Sequence, residues 1–469
     1  MKFNFNNEKG LLVHLMFEDS ALKCDVFSKL VEKKIFSKKS GEIYLDIYNG
    51  ACFVGLGKKE ELEVDNLREI FFKLANELKA KKVEEVQIEL PKLENICEEG
   101  IVTGITEGFI QSEYDFNRFK SDKNDKYELV VNLNKATEKQ IKEVEDLENL
   151  MSAVFETRDL VNLPSNYIYP ETLAKNAQEL LSPLGVKVSI YGKEEIKKMG
   201  MEAFYAVGKG SDNEPRLIVM EYDNNSDSNE KIALVGKGIT YDAGGYSLKP
   251  SDSMKTMFCD MGGAASVIGT ILALAKNKVK TNVVGVVAAC ENAVSGHSYK
   301  PGDIIGSLSG KTIEVDNTDA EGRVTLADSV YYATKFKNAT KVIDLATLTG
   351  ACLVALGEVY TGALTNNQEF YNNLLEASYK AGEKIWQLPY DKEFKKLNKS
   401  HVADIKNSGG RLGGTITAGL FISEFINDLP WVHLDIAGTA FLSSANSYLP
   451  KGATGVHVKT LYYLLKEDK

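Results

Sequence analysis

The chain has 469 residues, 43% of them hydrophobic and 26% charged, so it can bury a large core and exceeds the about 250 to 300 residues at which single cores stop growing. Two domains are therefore expected. A formal charge of −10 argues against a general nucleic-acid binder, which holds phosphates with clustered Lys and Arg, and leaves a small or peptide-like ligand as the expectation.

The opening segment, MKFNFNNEKGLLVHLMFEDS, lacks the charged-then-apolar layout of a signal peptide. No stretch approaches the roughly 20 apolar residues of a spanning helix, so a cytoplasmic protein with no membrane partner is expected. Cys24, Cys52, Cys97, Cys259, Cys290 and Cys352 are scattered without a C-x-x-C pair and read as reduced thiols, most of them buried. Histidine is confined to His14, His297, His401, His433 and His457, with no i, i+4 pair, so carboxylates must carry any bound metal.

Taken in chain order, the apolar runs GLLVHLMF, EIYLDIY and ACFVGLG predict strands, NLREIFFKLANELKAKK a helix, and VEEVQIEL a further strand. They make a small α/β domain over residues 1–135. The segment ATEKQIKEVEDLENLMSAVFETRDLVN has the spacing of one long amphipathic helix and reads as a connector over 136–163. Over 164–469, strand-like KIALVG, VVGVVAA and KVIDLAT alternate with helices beginning near Gly263 and Gly322. This is the pattern of a mostly parallel central sheet covered by helices, and the fold class is α/β. Ligands of such sheets sit at the carboxyl ends of the strands, where GKGITYDAGG, ENAVSGHSYKPGD and TLTGACL fall.

The segment Gly306–Thr312, GSLSGKT, suggests a phosphate loop but has three residues between its glycines where that loop needs four, so a tight turn between strands is the better reading. In VDNTDAEGRVTLADSV, Asp316, Asp319, Glu321 and Arg323 crowd a loop before a helix, where Thr318 and Glu321 also match a capping box. Two further acidic loops, VGKGITYDAGGYSLKP and CDMGGAAS, set carboxylates beside glycine pairs, where the backbone can approach a ligand closely. Three such loops favour ligation of divalent ions by hard oxygen donors over capping alone. Lys237 reads as a solvated lysine unless nearby dications make its neutral amine a ligand. The stretches NSGGRLGG and WVHLDIAGTA read as close backbone packing, His433 and Asp435 as hydrogen-bonded core-strand residues, and His297 and His401 as lone structural histidines.

With these blocks in view, the sequence resembles the leucyl aminopeptidases, the cytosol aminopeptidase family also known as M17. NTDAEGR is that family's signature, and VGKGITYDAGG, DMGGAAS, ENAVSGHSYKPGD, TLTGAC, NSGGRLGG and HLDIAGTA resemble its other blocks in the same order. TRDLVNLPSNYIYPETLA resembles the opening of its catalytic domain, so the resemblance runs from about residue 156 to 469, whereas the amino-terminal part carries no matching motif.

The resemblance implies that 164–469 is a two-metal peptidase domain removing an apolar N-terminal residue, such as leucine, from peptides. By it, Lys237, Asp242, Asp260, Asp319 and Glu321 are metal ligands, with Asp242 and Glu321 bridging. Lys249 and Arg323 are the catalytic pair, Arg323 holding a bicarbonate ion. Met257, Thr347, Leu348 and Gly350 line the first substrate pocket. Two divalent ions per subunit, Zn²⁺ or Mn²⁺ with Mg²⁺ also admissible, and a homohexamer are implied as well. Tyr241, Ala243 and Cys259 depart from the family's usual Phe, Ser and Ala, without removing a ligand; Cys259 either places a soft sulfur beside a metal position or fills a small space.

Overall fold

The computed structural model describes residues 1–122 and 127–466 and divides into two compact units, Met1–Met151 with Ala445–Pro450, and Ser152–Ser444 with Lys451–Lys469. The division falls inside one helix, Glu138–Asn162.

In the first unit, β1 (Lys2–Phe5), β2 (Leu11–Phe17), β3 (Ile43–Asp46), β4 (Ala51–Gly57), β5 (Glu85–Glu89) and β6 (Val130–Asn134) form one sheet in the order β1-β6-β5-β2-β4-β3. All neighbours are parallel except the edge strand β3. The predicted helix appears as Val64–Ala80. A second helix, Glu98–Gln111, escapes the apolar pattern because its glycines and β-branched residues are weak helix formers. Packing supplies what propensity lacks. A Cβ on Gly104 would lie 2.6 Å from Leu67 Cβ, and one on Gly108 2.6 Å from the Arg68 carbonyl oxygen, so the bare glycine face lets the two helices touch backbone to side chain.

In the second unit, β7 (Lys187–Tyr191), β8 (Arg216–Asp223), β9 (Ile232–Asp242), β10 (Asn282–Asn292), β13 (Lys341–Ala346), β14 (Thr361–Thr365), β15 (Ile385–Gln387) and β17 (Trp431–Asp435) make the central sheet. Its order is β15-β14-β17-β13-β9-β10-β8-β7. Three short strands, β11 (Ile304–Ile305), β12 (Ile313–Glu314) and β16 (Ile405–Lys406), form a separate small sheet. The segment GSLSGKT spans the turn between β11 and β12, with Gly310 at φ +86°, which bears out the reading against a phosphate loop.

The four central strands β17, β13, β9 and β10 are mutually parallel, so their carboxyl ends open on one edge. They read as continuous apolar runs because both faces are covered, and the buried core includes Val235, Val286, Val342 and Trp431. Among the helices that cover the sheet, Gly262–Lys276 and Glu321–Phe336 matter most to the site, because each begins beside a strand end.

Glycine sets how close they come. A Cβ on Gly236 of β9 would lie 2.6 Å from the Gly263 carbonyl oxygen, and one on Gly263 would lie 2.1 Å from the Leu345 carbonyl oxygen of β13. The helix Gly262–Lys276 therefore rests backbone-on-backbone against the sheet, which carries Asp260, just before it, to the ends of β9 and β13. Gly263→Ala must push this helix outward, and we expect a loss of about 1 to 3 kcal/mol. Urea unfolding of the variant, followed by Trp fluorescence, checks this through a lowered midpoint.

Candidate active site

β9 ends at Asp242 and turns sharply through Gly244 and Gly245, at φ +85° and +62°. The turn returns the Gly244 N–H to Asp242 Oδ1 at 2.8 Å, and a Cβ on Gly244 would lie 2.8 Å from Asp319 Oδ1, so glycine is what admits the second carboxylate. On the neighbouring strand a register shift between Cys290 and Glu291 precedes Asn292, which pairs with Asp242. Asn292 donates Nδ2 to Asp242 Oδ1 at 2.8 Å and to the Thr318 carbonyl at 3.0 Å, tying two of the acidic loops together.

The Thr318–Glu321 capping box does not form. The helix Glu321–Phe336 is capped by Ala320 without a side-chain hydrogen bond. Thr318 Oγ1 instead donates to the Gly244 carbonyl at 2.7 Å and accepts from the Ser247 N–H at 2.7 Å. Freed of any capping task, Glu321 turns into the site. Gly322, next to it, makes room for Lys237: a Cβ there would lie 2.6 Å from Lys237 Cε.

Lys237, Asp242, Asp260 and Glu321 are all buried, and they converge with Asp319 and Lys249. Lys237 Nζ lies 2.8 Å from Asp260 Oδ2 and 2.8 Å from Glu321 Oε1, while Lys249 Nζ lies 2.8 Å from Asp242 Oδ2 and 2.7 Å from Asp319 Oδ1. The ammonium groups hold Asp260 Oδ2 and Asp319 Oδ1, whereas both Glu321 oxygens are buried without a hydrogen bond, Oε1 having the 2.8 Å ion pair to Lys237 alone. Lys237 also donates a hydrogen bond to the Thr347 carbonyl, at 2.9 Å.

Oxygens of Asp242, Asp319 and Glu321 lie within 4.8 Å of one another. Hard oxygen donors at that spacing, the two of Glu321 without a hydrogen bond, fit divalent cations, which satisfy several carboxylates at once.

The charges shape one another. Burial raises the Glu321 carboxyl to about 8, with Asp242 adding to the rise and Lys237 opposing it. Burial likewise lifts Asp260 to about 6 against the pull of Lys237. For Lys237, burial favours the neutral amine, but Asp260, Glu321 and Asp242 outweigh it and hold the ammonium above its ordinary value. In the ion-free chain Lys237 is thus a charged partner; the neutral amine expected of a ligand requires competing cations. Burial lowers Arg323 to about 10, still charged at neutral pH. Cys259 is buried, and burial with the neighbouring Asp260 pushes its thiol up to about 12.

Lys237, Asp242, Lys249, Asp260, Asp319 and Arg323 line a cleft of about 850 Å³, and Glu321 is buried beside Lys237. Met257, Thr347, Leu348 and Gly350 line it, together with Phe441 and Ala437. The glycine-rich segment also contributes, which packing alone did not anticipate: Ser408, Gly410, Arg411 and Gly414 line the cleft. Its Asn407 accepts from the Asp316 and Asn317 N–H groups at 2.8 and 3.2 Å, and its carbonyl takes Arg323 Nη1 at 3.0 Å. Arg323 Nε is left without a partner. Asn407 has no chemical signature in sequence, since its role is to brace backbone from a distant loop. No histidine lines the cleft, and His297 and His401 are exposed. Asp435 is satisfied as expected, whereas His433 Nδ1 lies 2.6 Å from Asp344 Oδ1 and its Nε2 has no partner.

A doubly covered, mostly parallel sheet carries a carboxylate-rich cluster that fits divalent cations at the carboxyl edge, where ligands of α/β sheets bind. Residues 155–462 match the sequence profile of the cytosol aminopeptidase family, catalytic domain, and residues 18–123 that of its N-terminal domain, so the motif-poor amino-terminal part is the family's own. The chain is 52% identical to the probable cytosol aminopeptidase of Treponema denticola and 50% identical to that of Clostridium tetani, each over 100% of both chains. Its fold is similar to that of the bottromycin maturation enzyme BotP in complex with Mn, with a TM-score of 0.89, 29% identity, and coverage of 98% of this chain and 99% of that one. The chain belongs to the cytosol aminopeptidase family, a family of metal-dependent aminopeptidases. Among the described residues no helix is long and apolar enough to cross a membrane.

Metal uptake here competes with protons. Burial keeps Glu321 and Asp260 protonated further toward neutral pH than ordinary carboxyls, and Lys237 must shed its ammonium proton to ligate, so apparent metal affinity rises with pH through the neutral range. Titration calorimetry with Mn²⁺ at pH 6, 7 and 8, in buffers of different ionisation enthalpy, should show proton release that shrinks toward the alkaline end; pH-independent affinity would refute this account of the cluster.

Proposed function

We propose that the chain removes an apolar N-terminal residue, leucine among them, from peptides at a two-metal site held by Lys237, Asp242, Asp260, Asp319 and Glu321. The observation that carries the reading is the Glu321 carboxylate, 1% exposed, with neither oxygen hydrogen-bonded and Asp242 and Asp319 oxygens within 4.8 Å. Lys237 answers one Glu321 oxygen at 2.8 Å, but Asp242, Asp260, Asp319 and Glu321 together meet the two ammonium groups of Lys237 and Lys249, and the excess negative charge suits added cations. When bound, two divalent ions supply Lewis acidity to a water and to a scissile carbonyl, and Zn²⁺, Mn²⁺ and Mg²⁺ all suit these donors.

The chain's own groups supply the rest. Lys249 stands at the cleft, held between Asp242 and Asp319, where its ammonium stabilises negative charge developing on the carbonyl oxygen. Arg323 is braced by Asn407 and keeps Nε free for an anion; a bicarbonate there is a proton acceptor near neutral pH. Asp260, steadied by Thr347 Oγ1 at 2.6 Å, faces the cleft and receives the substrate's free α-amine, which confines cleavage to the amino terminus. Met257, Leu348, Ala437 and Phe441 give the wall an apolar character that suits leucine or methionine. The family resemblance supports a homohexamer acting in the cytoplasm.

Chelating the purified protein should abolish leucine-amide hydrolysis, and Zn²⁺ or Mn²⁺ should restore it; peptides with an acetylated α-amine should remain uncut throughout. Glu321→Ala should lose turnover by at least about a thousandfold, comparable to removing a principal catalytic group, with circular dichroism unchanged. Near-normal activity in that variant would sink the two-metal reading.

A further inference from the structure

Asp435, at the end of β17, is fully buried and has no part in the chemistry above. Its carboxylate nevertheless gathers four donors. Oδ1 accepts from the Leu348 N–H at 3.2 Å, the Thr349 N–H at 3.4 Å and the Ala437 N–H at 3.2 Å, while Oδ2 accepts from Thr349 Oγ1 at 2.6 Å. Three of these donors belong to the loop that follows β13.

The proton bookkeeping makes the arrangement directional. Thr349 has one hydroxyl proton and gives it to Asp435, so its oxygen accepts from the Cys352 N–H at 3.0 Å and from the Thr415 hydroxyl, 3.0 Å away. Thr349 is thereby held by β17, by the first turn of the helix Gly350–Leu356, and by the helix Gly414–Ile422. The same loop reaches the cleft on its other side, where the Thr347 carbonyl accepts from Lys237 and Thr347 Oγ1 donates to Asp260. Leu348 and Gly350, between these anchors, line the cleft. All four groups facing Asp435 are donors, and only an ionised carboxylate can accept from every one of them. An asparagine of the same shape would turn an N–H₂ toward a donor.

We propose that Asp435 is a positioning residue for the first substrate pocket, fixing through Leu348 and Thr349 the wall that measures the substrate's N-terminal side chain. The inference rests on the aminopeptidase reading and extends it to selectivity. A wall held at three points discriminates side-chain size; a wall free to move accepts small and large residues alike.

The test compares leucine and alanine amides, with kcat and KM measured separately, for the metal-loaded wild-type enzyme, Asp435→Asn, Thr349→Val, Thr349→Ser and the Asp435→Asn/Thr349→Val double variant. The wild type should prefer leucine. In Asp435→Asn the leucine-to-alanine ratio of kcat/KM should fall about tenfold, chiefly through a raised KM for leucine. Thr349→Val should do the same, the double variant should lose no more than either single one, and Thr349→Ser should keep the wild-type ratio. Thr349→Val also stands in as the probe if Asp435→Asn fails to fold. An unchanged ratio in a folded variant, or an equal loss for both substrates carried by kcat, would overturn the assignment. No hydrolysis by the wild type would instead sink the aminopeptidase reading itself, so the two failures are distinguishable.

Discussion

Negative charge buried at the end of a parallel sheet must be answered by positive charge, and this requirement organises the second unit. Removing a carboxylate from water costs several kcal/mol even after relaxation, and Asp242, Asp260 and Glu321 are all buried within reach of one another. Lys237 and Lys249 offset part of that cost, yet both Glu321 oxygens still lack a hydrogen bond. A site built for stability alone would pair these oxygens or replace them with apolar groups. Oxygens left in that state suit added cations, which can satisfy several carboxylates at once.

Backbone proximity is the means by which the cluster closes. Gly236, Gly244, Gly263 and Gly322 each stand where a Cβ would lie under 3.0 Å from a neighbour, and the neighbours include Asp319, Lys237 and the strand β13. These glycines draw a strand end, a turn and two helix starts to within ion-pair distance. Around them stands a polar scaffold that holds the site's groups in place: Asn292 ties Asp242 to the Thr318 loop, Thr318 joins that loop to Gly244, Asn407 braces Arg323, and Asp435 braces the loop after β13. A carboxylate cluster without this scaffold would relax apart under its own repulsion.

Much of this was legible in the chain and some was not, for identifiable reasons. The apolar runs of β9, β10 and β13 announced a sheet covered on both faces, and the acidic loops after them announced the edge where chemistry sits. The local pattern at Thr318 and Glu321 pointed to a capping box. It failed because the Gly244 carbonyl and Ser247 N–H compete for the same hydroxyl, and neither is near in sequence. The helix Glu98–Gln111 was hidden because its glycines serve contact with another helix rather than local propensity. Asn407 and Asp435 gave no chemical signal because their partners lie 84 and 86 residues away in the chain.

By itself, then, the sequence determined the period of its strands and helices, the inventory of hard ligands, and the order of motifs that places it in its family, because these are properties of neighbouring residues. Only the tertiary structure decided that Lys237 is buried among carboxylates rather than solvated, that Glu321 lies against Lys237 rather than capping its helix, and that Asp435 accepts hydrogen bonds from the loop after β13. Each of those outcomes depends on what surrounds a charge in space, and burial, which sets the worth of every charge here, is a property no single residue carries.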